Sequence, residues 1–110
     1  MSFYTYIIKC ADDSFYTGYT NALAARMKQH KEGTGGKYTR AKGMECLVAC
    51  WISADKSTAM KLEWQIKQMN RKDKVRFIED PETLKSDAYT PLEQTEIDCI
   101  NQQVRLYGNI

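Results

Sequence analysis

Two short runs rich in aromatic and β-branched residues lie near the start of the chain, with a turn signal between them. The runs are Phe3–Cys10 and residues 14–20, and Ala11-Asp12-Asp13 separates them. Aromatic and β-branched residues favour strands, and two such runs joined by a short polar turn predict a β-hairpin. The segments that follow must pack against this platform, so the hairpin constrains the whole fold.

A helix is predicted directly after the hairpin, over residues 22–31, with Asn21 as its N-cap. Arg26 and His30 are four residues apart and therefore share one face of this helix. The hairpin and the helix can thus direct phenols, a guanidinium and an imidazole at one place. These groups can hold a phosphodiester and support attack on it without a covalent intermediate.

The segment resembles the core of the GIY-YIG endonuclease family, and most of all its small single-domain bacterial members. In that family a Gly-Ile-Tyr strand is followed by Tyr-Ile-Gly and then by a helix that carries an Arg. The corresponding triplets here are Tyr4-Thr5-Tyr6 and Tyr16-Thr17-Gly18. The first Gly and both Ile are replaced, whereas both Tyr and the second Gly remain. The resemblance extends to about Glu79.

The resemblance implies an α+β fold, with a small three-stranded antiparallel sheet flanked by helices. Residues 1–79 would form the catalytic domain. Residues 80–110 would form an acidic linker and an extra C-terminal helix packed on the same domain. A chain of 110 residues has room for one core of this kind.

Five residues match positions that act in catalysis in the family, namely Tyr6, Tyr16, Arg26, His30 and Glu63. The resemblance implies that Glu63 holds one Mg²⁺ or Mn²⁺ ion, weakly when substrate is absent. It implies that Arg26 grips phosphate oxygens and that Tyr6 is the general base or orients the attacking water. A phenol is a poor base at neutral pH, so we expect a nearby cation to lower the pKa of Tyr6. His30 would relay the Tyr6 proton, and Tyr16 would hydrogen-bond the phosphate or the water.

Each of these residues also has a purely structural interpretation. The tyrosines could be ordinary strand aromatics on a half-buried face. His30 could interact with the dipole at its helix end, and Glu63 could pair with Lys67 one turn along. The combination of the tyrosines with Arg26 favours function over these single-residue interpretations.

A basic segment follows the first helix. Residues 26–42 contain six Lys and Arg but one acidic residue, and residues 33–43 are rich in glycine, which predicts a mobile loop. The candidate nucleic-acid-binding residues are Lys28, Lys37, Tyr38, Arg40 and Lys42. Basic residues interleaved with an aromatic ring are typical of a nucleic-acid contact, although a solvated basic loop has the same composition.

The charge of the chain is unevenly distributed. Residues 1–78 carry 14 Lys and Arg against 7 Asp and Glu, whereas residues 79–110 carry 2 against 7. A basic body favours a polyanionic partner. The resemblance implies that this partner is DNA, in branched or damaged form as in repair, and that a protein partner supplies specificity. The alternative function is a nucleic-acid-binding module with weak or no catalytic turnover.

The rest of the chain predicts three further elements and a linker. Met44–Ser53 is a nearly continuous apolar run and predicts a buried strand. Asp55 and Asn70 are the expected N-caps of helices over 56–69 and 71–79. Asn70 could instead match an Asn that follows the metal-binding Glu in the family, but its position favours the cap. Residues 80–90 predict a polar linker. Pro91 is expected to begin the last helix, over 91–106, behind a capping box formed by Thr90 and Glu93.

Targeting and cofactor signals are absent from the sequence. The start of the chain lacks a basic, apolar leader pattern, and no apolar run is long enough to cross a membrane. The four cysteines lack the spacing of a zinc site or a disulfide framework. We therefore expect a cytoplasmic protein with reduced thiols and no small-molecule cofactor.

Overall fold

A computed structural model describes residues 1–84 and 86–107 of the chain. The strands are β1 (Phe3–Cys10), β2 (Phe15–Thr20), β3 (Met44–Ser53) and β4 (Tyr89–Pro91). The helices are α1 (Leu23–Glu32), α2 (Lys37–Lys42), α3 (Lys56–Lys67), α4 (Arg71–Glu79) and α5 (Gln94–Tyr107), with a 3₁₀ turn over Pro81–Leu84. The fold is α+β, as the sequence predicted.

The sheet is antiparallel and has the strand order β2-β1-β3-β4. The hairpin prediction is confirmed, since β1 pairs with β2 in a register that places Tyr6 opposite Gly18. The prediction of three strands is wrong, because β4 adds a fourth strand by pairing with Trp51, Ile52 and Ser53 of β3. This strand has three residues, too few to show an alternating pattern.

Both faces of the sheet are covered, and alternate residues of the strands serve different cores. One face packs Tyr6 and Ile8 of β1 against Met27 of α1 and Ile97 of α5. The other face packs Ile7 and Trp51 together with Leu62 and Ile66 of α3. β3 lies between two strands and contributes buried residues to both faces, which explains its nearly continuous apolar sequence.

Two of the four predicted helix caps are confirmed. The side chain of Asp55 accepts a hydrogen bond from Thr58 N at 2.7 Å, and that of Asn70 accepts one from Asp73 N at 2.9 Å. Asn70 therefore caps α4. The prediction for Asn21 is wrong, because Ala22 occupies the N-cap position of α1 and makes no side-chain capping bond.

Three predictions about connecting segments are also wrong. The predicted loop over residues 33–43 contains the short helix α2, and the predicted linker over 80–90 contains the 3₁₀ turn and the start of β4. The last helix begins at Gln94, because Pro91 ends β4 instead of opening α5. Thr90 is thus a strand residue and forms no capping box.

Among the described residues, every helix is too short or too polar to cross a membrane.

Candidate active site

Tyr6 lies in the middle of β1, and its ring extends across Gly18 of the neighbouring strand. A Cβ atom added at Gly18 would lie 2.5 Å from Tyr6 Oη and 2.8 Å from Cζ. No side chain fits at that separation, so glycine at this position is what lets the phenol cross β2. The ring is buried, with 1% of its surface exposed.

A chain of three buried polar side chains begins at Tyr6. Its Oη lies 2.8 Å from Nε2 of His30 on α1, and Nδ1 of His30 lies 2.7 Å from Oγ1 of Thr39 on α2. His30 and Thr39 are each 1% exposed. Two neutral arrangements satisfy these three side chains. In one, Tyr6 donates to Nε2 and Nδ1–H donates to Thr39. In the other, Nε2–H donates to Tyr6 and the Thr39 hydroxyl donates to Nδ1.

Burial determines the protonation states of Tyr6 and His30. Desolvation lowers the pKa of His30 to about 4, and the nearby Arg26 guanidinium lowers it as well. Desolvation raises the pKa of Tyr6 to about 12, although a hydrogen bond and the charge of Arg26 act in the opposite direction. Arg26 thus lowers the pKa of Tyr6 as expected, but burial outweighs it and the net shift is upward.

A cluster of aromatic rings extends from the buried Tyr6 and His30 side chains to the protein surface. The Tyr16 ring is half-buried, with its centroid 6.5 Å from that of Tyr6 and 5.4 Å from that of His30. Tyr38 of α2 stacks on Tyr16, with centroids 5.5 Å apart and planes inclined by 27°. Tyr38 is itself exposed, so the ring cluster runs continuously from the core to solvent.

Arg26 lies beside this cluster on α1, one turn before His30. Its Nη1 donates to Gln29 Oε1 at 2.9 Å, and its Nη2 donates to the carbonyl oxygen of Gly35 at 2.5 Å. A Cβ at Gly35 would lie 2.6 Å from Nδ1 of His30, so glycine is also required where this loop crosses the imidazole. The two hydrogen bonds fix the direction of the guanidinium and leave other N–H groups for an anion.

Glu63 lies on α3, which packs on the opposite face of the sheet from Tyr6. Its carboxylate is close enough to contribute to the raised pKa of Tyr6, as the smallest of the five causes that act on that group. It also pairs with Lys67 Nζ at 3.6 Å, as the structural interpretation predicted. The structure thus gathers Tyr6, Tyr16, Arg26 and His30 in one cluster, whereas Glu63 contacts Lys67 and acts on Tyr6 electrostatically.

The predicted nucleic-acid-binding residues form an exposed rim around α1 and α2. Lys28 pairs with Glu32 at 3.9 Å on α1, and Lys42 pairs with Asp12 at 3.1 Å. Lys37, Tyr38 and Arg40 are exposed on α2, the element that also supplies the buried Thr39. One short helix therefore contributes Thr39 to the buried hydrogen-bonded side chains and three residues to the basic surface.

Comparison with known proteins identifies the family. The model of the GIY-YIG catalytic domain matches residues 2–76, about two thirds of the sequence. The chain belongs to the GIY-YIG family. The match includes every site residue named above and stops before β4 and α5.

Relatives of the GIY-YIG chain are small bacterial proteins. It is 42% identical over 78 residues to the UPF0213 protein BH0048 of Halalkalibacterium halodurans, which covers 71% of this chain and 83% of the relative. It is 43% identical over 77 residues to the UPF0213 protein SH2523 of Staphylococcus haemolyticus, covering 70% and 94%. The solution NMR structure of BH0048 is 41% identical, with a TM-score of 0.47 over 72% of this chain and 84% of that one.

Thr39 is the site residue that the sequence analysis missed. It lies nine residues after His30 in a glycine-rich, basic segment. A threonine in such a segment is usually a solvated turn residue, and the six-residue helix α2 is too short to reveal its buried face through periodicity. The glycines that flank this segment were the available signal, since Gly35 permits the close approach to His30.

The metal-ligand set of this GIY-YIG chain is sparse. Within residues 1–84 and 86–107, no three His, Cys, Asp or Glu side chains come together as a metal cluster. Glu63 is the candidate ligand, as a single half-buried carboxylate. Such a donor fits an ion that keeps most of its waters and takes phosphate oxygens as further ligands, which is how Mg²⁺ binds in many nucleotide sites.

Proposed function

We propose that the chain is a metal-dependent endonuclease that hydrolyses phosphodiester bonds in DNA. The supporting observation is that Tyr6, Tyr16, His30 and Arg26 converge at the end of a basic rim in a chain of the GIY-YIG family. Phenol, imidazole and guanidinium groups in one place match the needs of phosphoryl transfer, namely positioning, charge stabilisation and proton movement.

Arg26 is the group that holds the scissile phosphate. Its hydrogen bonds to Gln29 and Gly35 fix the plane of the guanidinium before substrate arrives. The remaining N–H groups can then donate hydrogen bonds to phosphate oxygens, and the charge stabilises the additional negative charge of the transition state. A lysine supplies charge without this planar fork.

Tyr6 and His30 move the proton. Because the pKa of Tyr6 is about 12, the phenol is protonated at neutral pH and is not a standing phenolate base. Because the pKa of His30 is about 4, its imidazole is neutral at neutral pH and has a lone pair that can face the Tyr6 hydroxyl. The Tyr6 hydroxyl can take a proton from an attacking water as it passes its own to His30.

Glu63 would hold Mg²⁺ or Mn²⁺ together with the DNA phosphate. When bound, the ion supplies positive charge to the phosphoryl oxygens. The single carboxylate predicts weak binding in the absence of DNA. The pairing with Lys67 predicts that the lysine must move aside or remain as a second cation at the phosphate.

One observation favours a second candidate function, a DNA-binding module with weak or no turnover. Tyr6 and His30 are each 1% exposed, so in this arrangement the proton relay has little contact with solvent. Turnover therefore requires that substrate or a displacement of Tyr38 opens the ring cluster. The basic rim would bind DNA in either case.

The decisive experiment measures cleavage of labelled single-stranded, duplex and branched DNA, with Mg²⁺, with Mn²⁺ and with EDTA. We expect metal-dependent products from the wild type and none from Arg26→Ala or Glu63→Gln, while DNA binding by both variants persists. Arg105→Ala and Glu93→Gln are matched controls, because both residues are exposed and lie outside the family match. Salt-sensitive binding without metal-dependent products would establish the binding module instead.

A further inference from the structure

Two large apolar side chains of α3 are exposed to solvent one turn apart. Trp64 is 66% exposed and Met60 is 45% exposed. Tryptophan is normally largely buried, and its area is a considerable apolar surface to leave in water. The other tryptophan, Trp51, follows that rule, with no exposed surface and its indole N–H donating to the carbonyl oxygen of Pro81. A ligand that covers Trp64 would recover the corresponding hydrophobic free energy.

The exposed pair shares a helix face with the candidate metal ligand. Met60, Glu63, Trp64 and Lys67 occupy positions i, i+3, i+4 and i+7, which form one stripe on an α-helix. Lys56 lies one turn before Met60 on the same stripe. The indole is therefore adjacent to the carboxylate that belongs to the proposed active site, and not on a remote surface.

The charge around the indole indicates the kind of ligand. α3 contains three lysines but a single acidic residue, Glu63. A flat aromatic ring with lysines on its flanks suits a polyanion that also presents flat apolar units, and nucleic acid has both properties. Duplex DNA conceals the faces of its bases in the stack, so a ring exposed on a helix can stack only on a base that is unpaired.

We propose that Trp64, supported by Met60, is a stacking platform for an unpaired base next to the scissile phosphate, on the helix that carries Glu63. The substrate class is then DNA with a single-stranded or frayed segment, as at a branch or a flap. This inference rests on the proposed nuclease site, because it takes its position from Glu63. It adds a specificity determinant that the catalytic residues do not provide.

Tryptophan fluorescence tests the proposal without catalysis. The chain has two tryptophans, and only Trp64 is accessible, so quenching on addition of DNA reports on Trp64. Oligothymidylate, a blunt duplex of equal length and a flap substrate are titrated in EDTA at one salt concentration. We expect the oligothymidylate and the flap to quench the emission, and the blunt duplex to quench it weakly. Trp64→Phe provides the blank, since its remaining emission arises from buried Trp51.

Affinity measured by anisotropy provides the second readout. We expect Trp64→Leu to weaken binding of the single strand by about tenfold and binding of the blunt duplex by less than twofold, because leucine keeps apolar area but lacks a ring. Trp64→Phe should retain most of the affinity. Gln65→Leu is the matched control, since Gln65 is exposed on another side of α3 and should leave both affinities unchanged.

Three results would overturn the proposal: equal quenching by the blunt duplex, unchanged single-strand affinity of Trp64→Leu, or concentration-dependent blue-shifted emission without DNA. The last would identify the patch as an interface between two copies of the chain. Failure here is distinguishable from failure of the nuclease proposal, because metal-dependent cutting of duplex DNA can persist when Trp64 makes no contribution. Conversely, a protein that never cuts can still show the quenching.

Discussion

The hydroxyl of Thr39 lies 2.7 Å from His30 Nδ1, on the side of the imidazole opposite the 2.8 Å contact between Nε2 and Tyr6 Oη. All three side chains are buried, so each ring nitrogen meets a hydroxyl and not bulk water. A neutral imidazole has one donor nitrogen and one acceptor nitrogen, and Thr39 can satisfy either role at Nδ1. Thr39 is therefore positioned to let the imidazole exchange roles when a proton passes from Tyr6.

Removal of the Thr39 hydroxyl should affect both stability and catalysis. Thr39→Val leaves Nδ1 buried without a partner, which should lower the free energy of unfolding by about 1–3 kcal/mol. We expect it to slow cleavage by about tenfold, as for a lost interaction worth about 1.4 kcal/mol in the transition state. Thr39→Ser retains the hydroxyl and should restore most of both quantities. A loss in the serine variant with none in the valine variant would show that the methyl group, and not the hydrogen bond, is what matters.

Burial of neutral His30 predicts a specific acid sensitivity. The unfolded imidazole titrates near its ordinary pKa of 6.5, whereas the folded pKa is about 4. As pH falls from 6.5 to 4, the unfolded state binds a proton that the folded state does not, so the free energy of unfolding decreases. The full decrease is about 3 kcal/mol, and it is complete below pH 4.

Urea unfolding at a series of pH values tests this prediction. His30 is the single histidine of the chain, and the lowered pKa values of Asp12 and Asp55 reduce stability only as pH falls below their ordinary value of 3.8. The slope between pH 6.5 and 4 should therefore vanish in His30→Gln. An unchanged slope in that variant would assign the acid sensitivity to other groups.

The contact between Gly18 and the Tyr6 ring predicts a non-additive pair of substitutions. In Gly18→Ala the new methyl group would lie 2.5 Å from Tyr6 Oη and 2.8 Å from Cζ, so the ring or β2 must shift. This overpacking should cost about 1–3 kcal/mol. Removing the hydroxyl with Tyr6→Phe relieves the closer of the two contacts. The double variant should therefore be more stable than the sum of the single effects predicts, as measured by a thermodynamic cycle.

Much of the fold could be predicted from the sequence because its signals are local. β1 and β3 have the predicted bounds, since their aromatic and β-branched runs end at turn residues. Asp55 and Asn70 mark helix starts through contacts within one turn. β4 could not be predicted in this way, because three residues become a strand only through pairing with Trp51–Ser53 on a distant part of the chain.

The candidate site likewise combines features that the sequence predicts with features that only the tertiary structure determines. The residue types of Tyr6, Arg26 and His30 and their order along the chain carried the family resemblance. The protonation states of Tyr6 and His30 depend on how deeply the fold buries them, and the spacing of residues along the sequence does not reveal that depth. The role of Thr39 depends on the short helix α2, whose formation between glycines is decided by tertiary contacts such as the bond to His30.

The basic rim predicts a change in the salt dependence of DNA binding. Lys37 and Arg40 are exposed on α2, and replacing both with alanine preserves helix propensity while it removes two charges. If both residues contact phosphates, the slope of log affinity against log salt for duplex DNA should decrease in magnitude by about 2. Anisotropy titrations in EDTA over a range of NaCl concentrations measure that slope. The matched control is Lys72→Ala with Lys74→Ala on α4, which lies outside the rim and should leave the slope nearly unchanged. A similar decrease in both double variants would mean that binding depends on total charge and that α2 makes no particular contact with the backbone.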